Sequence, residues 1–437
     1  MTSTSWQRYC QSGAVGLLIL GLLSSCSPVP DALETEDTAR TVTVLGRVKN
    51  EQQENLEAAF RPFEERTGIK VRYEGSLSFA RVLAEQVEAG KPPDVAMFPQ
   101  PTLIADYARR EELIPLTNFL PEPSLQQAYS EDWLTLSQVD GEIYALWYRA
   151  IAKSLVWYRP SVFEENGYSV PKTWRELIDL SDQIVAEGKT PWCIGLESGE
   201  ATGWVGTDWI EGILLRTAGP NAYQRWIDRE LPFESPEVLR AFDEFGWFLK
   251  TPGYVEGGAI ETITTPYSLS SLGLFDQPPD CFMHQQGSFI SSFFPEEAIA
   301  QEDYDIFLLP EIEPEFGTPL IVSGDAFAMF NDTPEARLFL AYMATAEPHE
   351  IWAKQGGFIS PHQEVDPSVY PSLIYQKIAQ LVSDTDELYF DASDMMPPSL
   401  GLYPFWEGMI DFAAGKDAED VARMLDSQRV EPSPNGR

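Results

Sequence analysis

Histidine, cysteine and basic residues are the scarce classes in this chain. Three histidines, His284, His349 and His362, occur among 437 residues. None shows HxxxH or paired-cysteine spacing, so no metal centre is expected. The same scarcity, with no GxSxG segment, argues against a Ser-His nucleophile. Lys and Arg number 30 against 68 Asp and Glu, a net charge of −38. Such a surface repels a phosphate backbone, which argues against a nucleic-acid partner. The first candidate ligand loop lacks GxGxxG. Gly90-Lys91, the nearest thing to a phosphate loop, lacks both the upstream Gly and the following Ser/Thr, so no nucleotide cofactor is indicated. Long apolar runs are missing too. Gly13 to Leu23 has eleven uncharged apolar residues, whereas a spanning helix needs about 20.

That short run is preceded by Arg8 and followed by Leu23-Ser24-Ser25-Cys26. A charged start, a short apolar core and small residues at a cut site mark a secretory signal. The ending resembles the lipobox of bacterial lipoproteins. This implies a signal over 1–25, lipidation of Cys26, and work at the outer face of the cytoplasmic membrane; an ordinary signal with a coincidental Cys is the bland alternative. Residues 26–40, acidic and Thr-rich in their second half, then form a linker. Cys10 leaves with the signal, so Cys193 and Cys281 remain as a pair in an oxidising compartment, where disulfides persist. A bridge is expected, with two separate buried thiols as the alternative.

Beyond residue 40 the remaining chain is too long for one compact core and suggests two domains. Thr41 to Leu45 reads as a strand. Asn50 and Gln53 have capping-box spacing, and Leu56, Ala59, Phe60 and Phe63 recur with helical period up to Gly68. Ile69 to Tyr73, Phe79 to Glu88 and Asp94 to Phe98 continue as strand, helix and strand. This is a doubly wound α/β start, in which ligands bind beyond the carboxyl ends of the strands. Ile143 to Tyr158 is one long β-prone run. Thr173 and Glu176 form a second capping box. Trp192 to Leu196 reads as a strand, Ser198 to Trp209 as a Gly-rich loop, and Trp209 to Arg216 and Pro236 to Lys250 as helices. Cys281 to Met283, Asp305 to Leu309 and Leu320 onward read as strands. Thr333-Pro334 opens a helix, and Phe405 to Ala414 and Ala418 to Leu425 are helical.

Five segments in order now resemble a known family. Phe60 to Val71 (FRPFEERTGIKV), Pro93-Asp94-Val95, Leu155-Val156-Trp157-Tyr158, Pro171 to Trp174 (PKTW) and Phe405 to Gly415 are similar to the extracellular solute-binding proteins of sugar ABC transporters, the group containing maltose-binding protein. Arg159 stands where that family commonly has Asn. Phe98 to Pro101, Cys193 with Cys281 to Gln286, and Phe390 to Pro397 resemble its α-glucoside subgroup. The resemblance implies a two-lobed α/β fold of the periplasmic-binding-protein type II, each lobe a sheet flanked by helices, with three hinge crossings near Trp147 to Lys153, Pro319 to Gly324 and Gly357 to His362. Lobe I then takes 41–148 and 325–357, and lobe II takes 149–324 and 358–430. It further implies a lipid-anchored monomer at the periplasmic face that passes a small glycoside, such as sucrose, trehalose or glucosylglycerol, to ABC permease subunits.

A sugar presents C–H faces and hydroxyl rims, so it asks for aromatic plates and paired polar groups. Trp204, Trp209, Phe289 and Trp406 are the aromatic candidates, the last two also by resemblance. Gln100, Asp208 and Asp325 are the polar candidates, followed by Arg47, Glu51, Ser76 and Asp394. For each carboxylate a solvated face or a helix cap is the bland alternative. The rival functions are a secreted glycoside hydrolase, which needs two carboxylates about 5 to 10 Å apart, and the same fold holding a non-sugar such as a polyamine.

Overall fold

The computed structural model describes residues 40–300, 302–383 and 389–428. All lie in the second of two units, Ala39–Arg437. The signal segment, Cys26 and nearly all of the linker lie outside the described residues.

The first sheet has six strands. β1 (Thr41–Gly46) pairs in parallel with β2 (Lys70–Gly75) and β3 (Val95–Phe98), as βαβ crossovers dictate. The intervening helices are Asn50–Thr67 and Phe79–Glu88. The first buries Leu56, Ala59, Phe60 and Phe63 and ends at Gly68, whose φ of 69° is the left-handed stop expected of that residue. Its start differs from expectation. Lys49 occupies the cap position without a side-chain bond, and Asn50 has φ 55°. The Gln53 amide instead reaches Glu57, one turn on. The Thr173–Glu176 capping box is formed as read.

A hairpin, β4 (Gln138–Val139) and β5 (Glu142–Ile143), turns at Asp140-Gly141, where both residues have positive φ. The β-prone run after it is two strands, not one. β6 (Ala145–Ala152) joins the six-stranded sheet, and β7 (Leu155–Tyr158) is the centre of a three-stranded antiparallel one. Lys153 and Ser154 separate them, with Ser154 at φ 60°. The junction is pinned from both sides: Lys153 N–H donates to the Ile321 carbonyl at 2.7 Å, and Leu309 N–H donates to the Ser154 carbonyl at 2.9 Å. The partners of β7 are β8 (Met283–Gln285) and β9 (Asp305–Leu308). The chain returns to the first sheet in β10 (Ile321–Met329), buried throughout and antiparallel to both β6 and β3; β11 (Tyr389–Phe390) adds in parallel at its start.

Trp192 to Leu196 is not a ladder strand; Trp192 makes isolated bridges to Val255 and Met283. The supposed loop from Ser198 becomes helix at Trp204, and the helix Trp204–Thr217 is buried over nearly its whole length. Two cores form. Strand alternation splits β7 between them, Leu155 and Trp157 facing one and Val156 the other. Phe358, Ile374 and Ile378 pack in the first core, whereas Ala392, Phe405 and Val421 pack in the second. Phe390 still packs in the first core and Ala392 in the second. Cys193 and Cys281 are bridged, with Cα atoms 5.5 Å apart.

Candidate functional site

Arg47 follows directly on β1, at a carboxyl end of the first sheet. Gly46 before it has no room for a side chain, since a Cβ there would lie 2.6 Å from the Tyr73 hydroxyl. That hydroxyl bonds both the N–H and the carbonyl of Val48, at 3.0 and 3.1 Å, and so fixes the loop. Arg47 Nε donates to Asp325 Oδ1 at 2.9 Å. Arg149, beside Asp325 in the β6–β10 register, donates through Nε to Oδ2 at 2.7 Å, and its Nη1 reaches Gln52 Oε1 at 3.1 Å. Both oxygens of Asp325 are thus held by guanidinium groups, and the residue is fully buried. Burial alone would raise its pKa; Arg149 and Arg47 outweigh that and hold it below the ordinary carboxylate value. Arg47 is different, since its side chain keeps 38% of its exposure.

A second charge cluster surrounds Lys153, at the junction between the sheets. Its Nζ donates to Asp208 Oδ1 at 2.7 Å and to Asp391 Oδ2. Asp391 also caps the short helix Ala392–Met395, its Oδ1 accepting from Ser393 Oγ at 2.7 Å and Asp394 N–H at 3.0 Å. The Glu211 carboxyl accepts from the backbone N–H groups of Ala392 and Ser393, both at 3.1 Å. Three buried acids meet one ammonium, so not all can ionise cheaply. Burial pushes Asp208 up to about 7, opposed by Lys153 and reinforced by Asp391. Glu211 is pushed well up, chiefly by burial and then by Asp391. These three acids have metal-like spacing, but the Lys153 ammonium bonds two of them.

Asp394, carried by that short helix, is half-buried. Its carbonyl accepts from Thr102 Oγ1 at 2.9 Å, and its carboxyl bonds the Gln100 side chain. Gln100 and Thr102 flank the start of the helix Pro101–Arg109, just past β3. Burial, then Asp391, raises the Asp394 pKa well above normal, against the pull of Lys153 and Arg47.

Three half-buried aromatic rings complete the region. Trp204 lies 5.4 Å from Tyr267 and 6.0 Å from Phe289, and the latter two are 6.1 Å apart, by ring centroids. The Lys153 ammonium sits 5.3 Å from the Trp204 ring centre. Arg47 interacts electrostatically with both Asp394 and Tyr267, which links the aromatic triangle to the polar groups. Gly203 has φ 110°, and a Cβ on it would lie 2.2 Å from the Trp406 carbonyl. This close approach sets the Trp406 backbone against the residue before Trp204, while the half-buried Trp406 ring packs on Tyr403, with ring centroids 5.5 Å apart.

Arg47, Gln100, Trp204, Phe289 and Asp394 therefore fall in one neighbourhood, with Asp208 and Asp325 buried behind it, whereas Trp406 approaches it through its backbone. Trp209 does not join them. It is fully buried in the second core, stacked on Phe245 at 5.3 Å and edge-on to Trp192, so packing accounts for it. Glu51 is exposed in the first turn of its helix. Ser76 accepts from the Ser78 N–H in its own turn, at 3.2 Å. Tyr267, Arg149, Lys153, Asp391 and Glu211 escaped the sequence reading. Arg149 and Lys153 did leave a trace, as two cations inside an otherwise apolar run. A cavity of about 460 Å³ lies alongside the cluster rather than around it, lined by residues that include Ala80, Arg81, Leu103, Leu402 and Tyr403.

Comparison with known proteins gives a consistent result. The pattern of the family described as bacterial extracellular solute-binding protein matches residues 49–265. The osmoprotective compounds-binding protein GgtB of Synechocystis sp. is 46% identical over 409 residues, covering 94% of this chain and 97% of that protein. The alpha-glucosides-binding periplasmic protein AglE of Rhizobium meliloti is 40% identical over 391 residues, 88% of this chain and 85% of that one. Among solved structures, a chitin oligosaccharide binding protein superposes with a TM-score of 0.77 over 89% of this chain and 97% of its own, at 18% identity. Maltose-bound MalE3 of T. maritima gives 0.72 over 89% and 98%, at 16% identity. At such identities the structural likeness speaks for the fold.

Proposed function

The chain belongs to the bacterial extracellular solute-binding protein family, and from that premise we propose that it is the lipid-anchored substrate-binding subunit of an ABC importer for a small glycoside. The ligand class is an α-glucoside disaccharide or a glucosylated polyol such as glucosylglycerol, which fits the kinds of compound for which AglE and GgtB are named. One observation carries the reading: the Trp204–Tyr267–Phe289 triangle adjoins Arg47, Gln100 and Asp394. The rings offer apolar faces to sugar C–H groups, and the polar side chains offer partners to hydroxyls. A bond to the charged Arg47 is worth about 1.5 to 3 kcal/mol.

In this reading two lobes hinge about the Lys153–Ser154 junction, the return into β10 and the late crossing ahead of Ala392, and close on the ligand. Cys26 carries the lipid, and the closed form is presented to the permease as a monomer. The paired charges favour a neutral ligand over a polyamine. Asp325 is occupied by two arginines, while Asp208 and Asp391 hold Lys153, so an ammonium ligand would meet Arg47 and Lys153 with little free negative charge to receive it. In this reading the protein binds without turnover, in keeping with relatives that are named for binding.

A thermal-shift panel of sucrose, trehalose, maltose, glucosylglycerol, glucose and spermidine tests this. A compound bound only by the native state raises the melting temperature with its saturation. A shift from at least one glycoside and none from spermidine is expected; a shift from spermidine alone would overturn the ligand class. Release of nitrophenol from nitrophenyl glucosides would instead support a hydrolase.

A further inference from the structure

We propose that Lys153 is a positioning residue for ligand binding: a single buried ammonium that fixes both the aromatic and the polar wall of the site without touching the ligand. The inference rests on the reading of that site as the glycoside site. Lys153 is 6% exposed. It faces Trp204 at 5.3 Å, within cation–π range, and so favours one placement of that ring. It also bonds Asp391, whose other oxygen caps the turn that carries Asp394. Its third partner, Asp208, stands one helical turn after Trp204 on the same helix. Two routes from one nitrogen thus lead to two candidate ligand contacts on different elements. Glu211 supports the same turn by accepting from Ala392 and Ser393.

The location adds to this. Lys153 is the residue at which the chain leaves the six-stranded sheet for the three-stranded one, and its own N–H is bonded to Ile321 at the start of β10. A purely structural lysine here would also need its charge, because Asp208 and Asp391 would otherwise be left unpaired, but its replacement would change stability without moving the Trp204 ring. A positioning lysine requires its charge for the ring contact as well as for the carboxylate bonds.

The test uses the full chain labelled with 5-fluorotryptophan, with the Trp204 resonance assigned through Trp204→Phe. Fluorine NMR reads the ring without any ligand. Calorimetry with whichever of sucrose, trehalose, maltose or glucosylglycerol binds reads the site. Lys153→Met is expected to move the Trp204 resonance, to leave that of Trp226 in the second core, and to weaken binding at least about tenfold. Lys153→Arg, which keeps the charge, should restore the resonance and stay within about threefold of the parent affinity. An unmoved Trp204 resonance in Lys153→Met, a moved resonance with unchanged affinity, or an arginine variant as impaired as the methionine one would each overturn the proposal. If none of the four compounds binds, the glycoside reading fails and the fluorine result alone judges this one. If Lys153→Met does not fold, Lys153→Gln, which loses the charge but keeps a hydrogen-bond donor for the buried acids, replaces it, and an unmoved Trp204 resonance there also overturns the proposal.

Discussion

The two buried charge clusters solve the same problem with opposite stoichiometry. Between β6 and β10 one carboxylate, Asp325, is shared by two guanidinium groups. At the sheet junction one ammonium, Lys153, is shared by Asp208 and Asp391, with Glu211 behind them. Where cations are in excess, the acid stays ionised and the surplus charge extends outward as the half-exposed Arg47. Where acids are in excess, protons make up the deficit, and Asp208 rises to about 7. The first cluster is therefore set by geometry, and the second by geometry and pH together.

The sharpest way to break this contrast is Asp325→Ala, which leaves Arg149 buried without its carboxylate. Removing one partner of a buried pair costs about 3 to 5 kcal/mol, and urea denaturation should show a loss of that order. A loss no larger than for an exposed ion pair would mean that the arginines find other acceptors, and the cluster would not be the rigid element described.

Next in size is a pH effect of opposite sign in the two clusters. The Asp208 pKa is raised in the folded state, so between about 4 and about 7 the native protein holds a proton that the unfolded chain releases. Stability then falls as pH rises through that window, by an amount of order 4 kcal/mol if Asp208 acted alone. Asp325 is depressed, so its contribution is present above the ordinary 3.8 and is lost as pH falls below it. Asp208→Asn should remove its own share of the decline between pH 4 and 7, leave the shares of Glu211 and Asp394, and leave the acid limb in place. A wild-type curve with no decline toward pH 7 beyond that of the Asp208→Asn protein would contradict the excess-acid description of the second cluster.

Why one cluster was half visible in the sequence and the other scarcely at all follows from how far apart their members lie. Local signals were legible. The apolar stripe of Asn50–Thr67, the Gly68 stop, the buried β3 and the Thr173–Glu176 box all depend on residues within one or two turns. Arg47 and Gln100 do follow strand ends of a doubly wound sheet, but Asp325, expected just past a strand end, lies in the middle of β10, and the sequence could not say that it is spent on arginines. Lys153 was missed because its partners lie 55 and 238 residues away. Trp204 and Trp209 could not be told apart because the helix they share is buried almost throughout, leaving no polar face to orient it. Asn50 failed as a cap because its backbone is left-handed there, outside the extended geometry a cap requires.

A smaller effect is expected where the first cluster reaches the surface. Arg47→Met removes the half-exposed limb but leaves the Arg149–Asp325 pair intact. Glycoside affinity measured by calorimetry should fall about tenfold, the equivalent of about 1.4 kcal/mol, with little change in the urea midpoint. Large destabilisation without loss of affinity would assign Arg47 to the scaffold instead of the site.

The smallest effect belongs to a pair that looks similar on paper. Arg81 on the helix Phe79–Glu88 approaches Glu200 at 3.5 Å beside the 460 Å³ cavity, and also bonds Glu85 one turn away at 2.8 Å. Like Lys153 it is a cation between two acids. Unlike Lys153 it is half exposed, with side-chain exposure of 51% against 44% and 62% for its partners. Water and salt screen such charges, and ordering three long side chains offsets most of the attraction. Arg81→Ala should therefore leave the melting temperature unchanged within error at physiological ionic strength. A drop approaching that of Asp325→Ala would mean that burial is not what separates the strong clusters from the weak one, and that the contact between the Phe79–Glu88 helix and the Gly199–Ala201 turn holds the two sides of the cavity together.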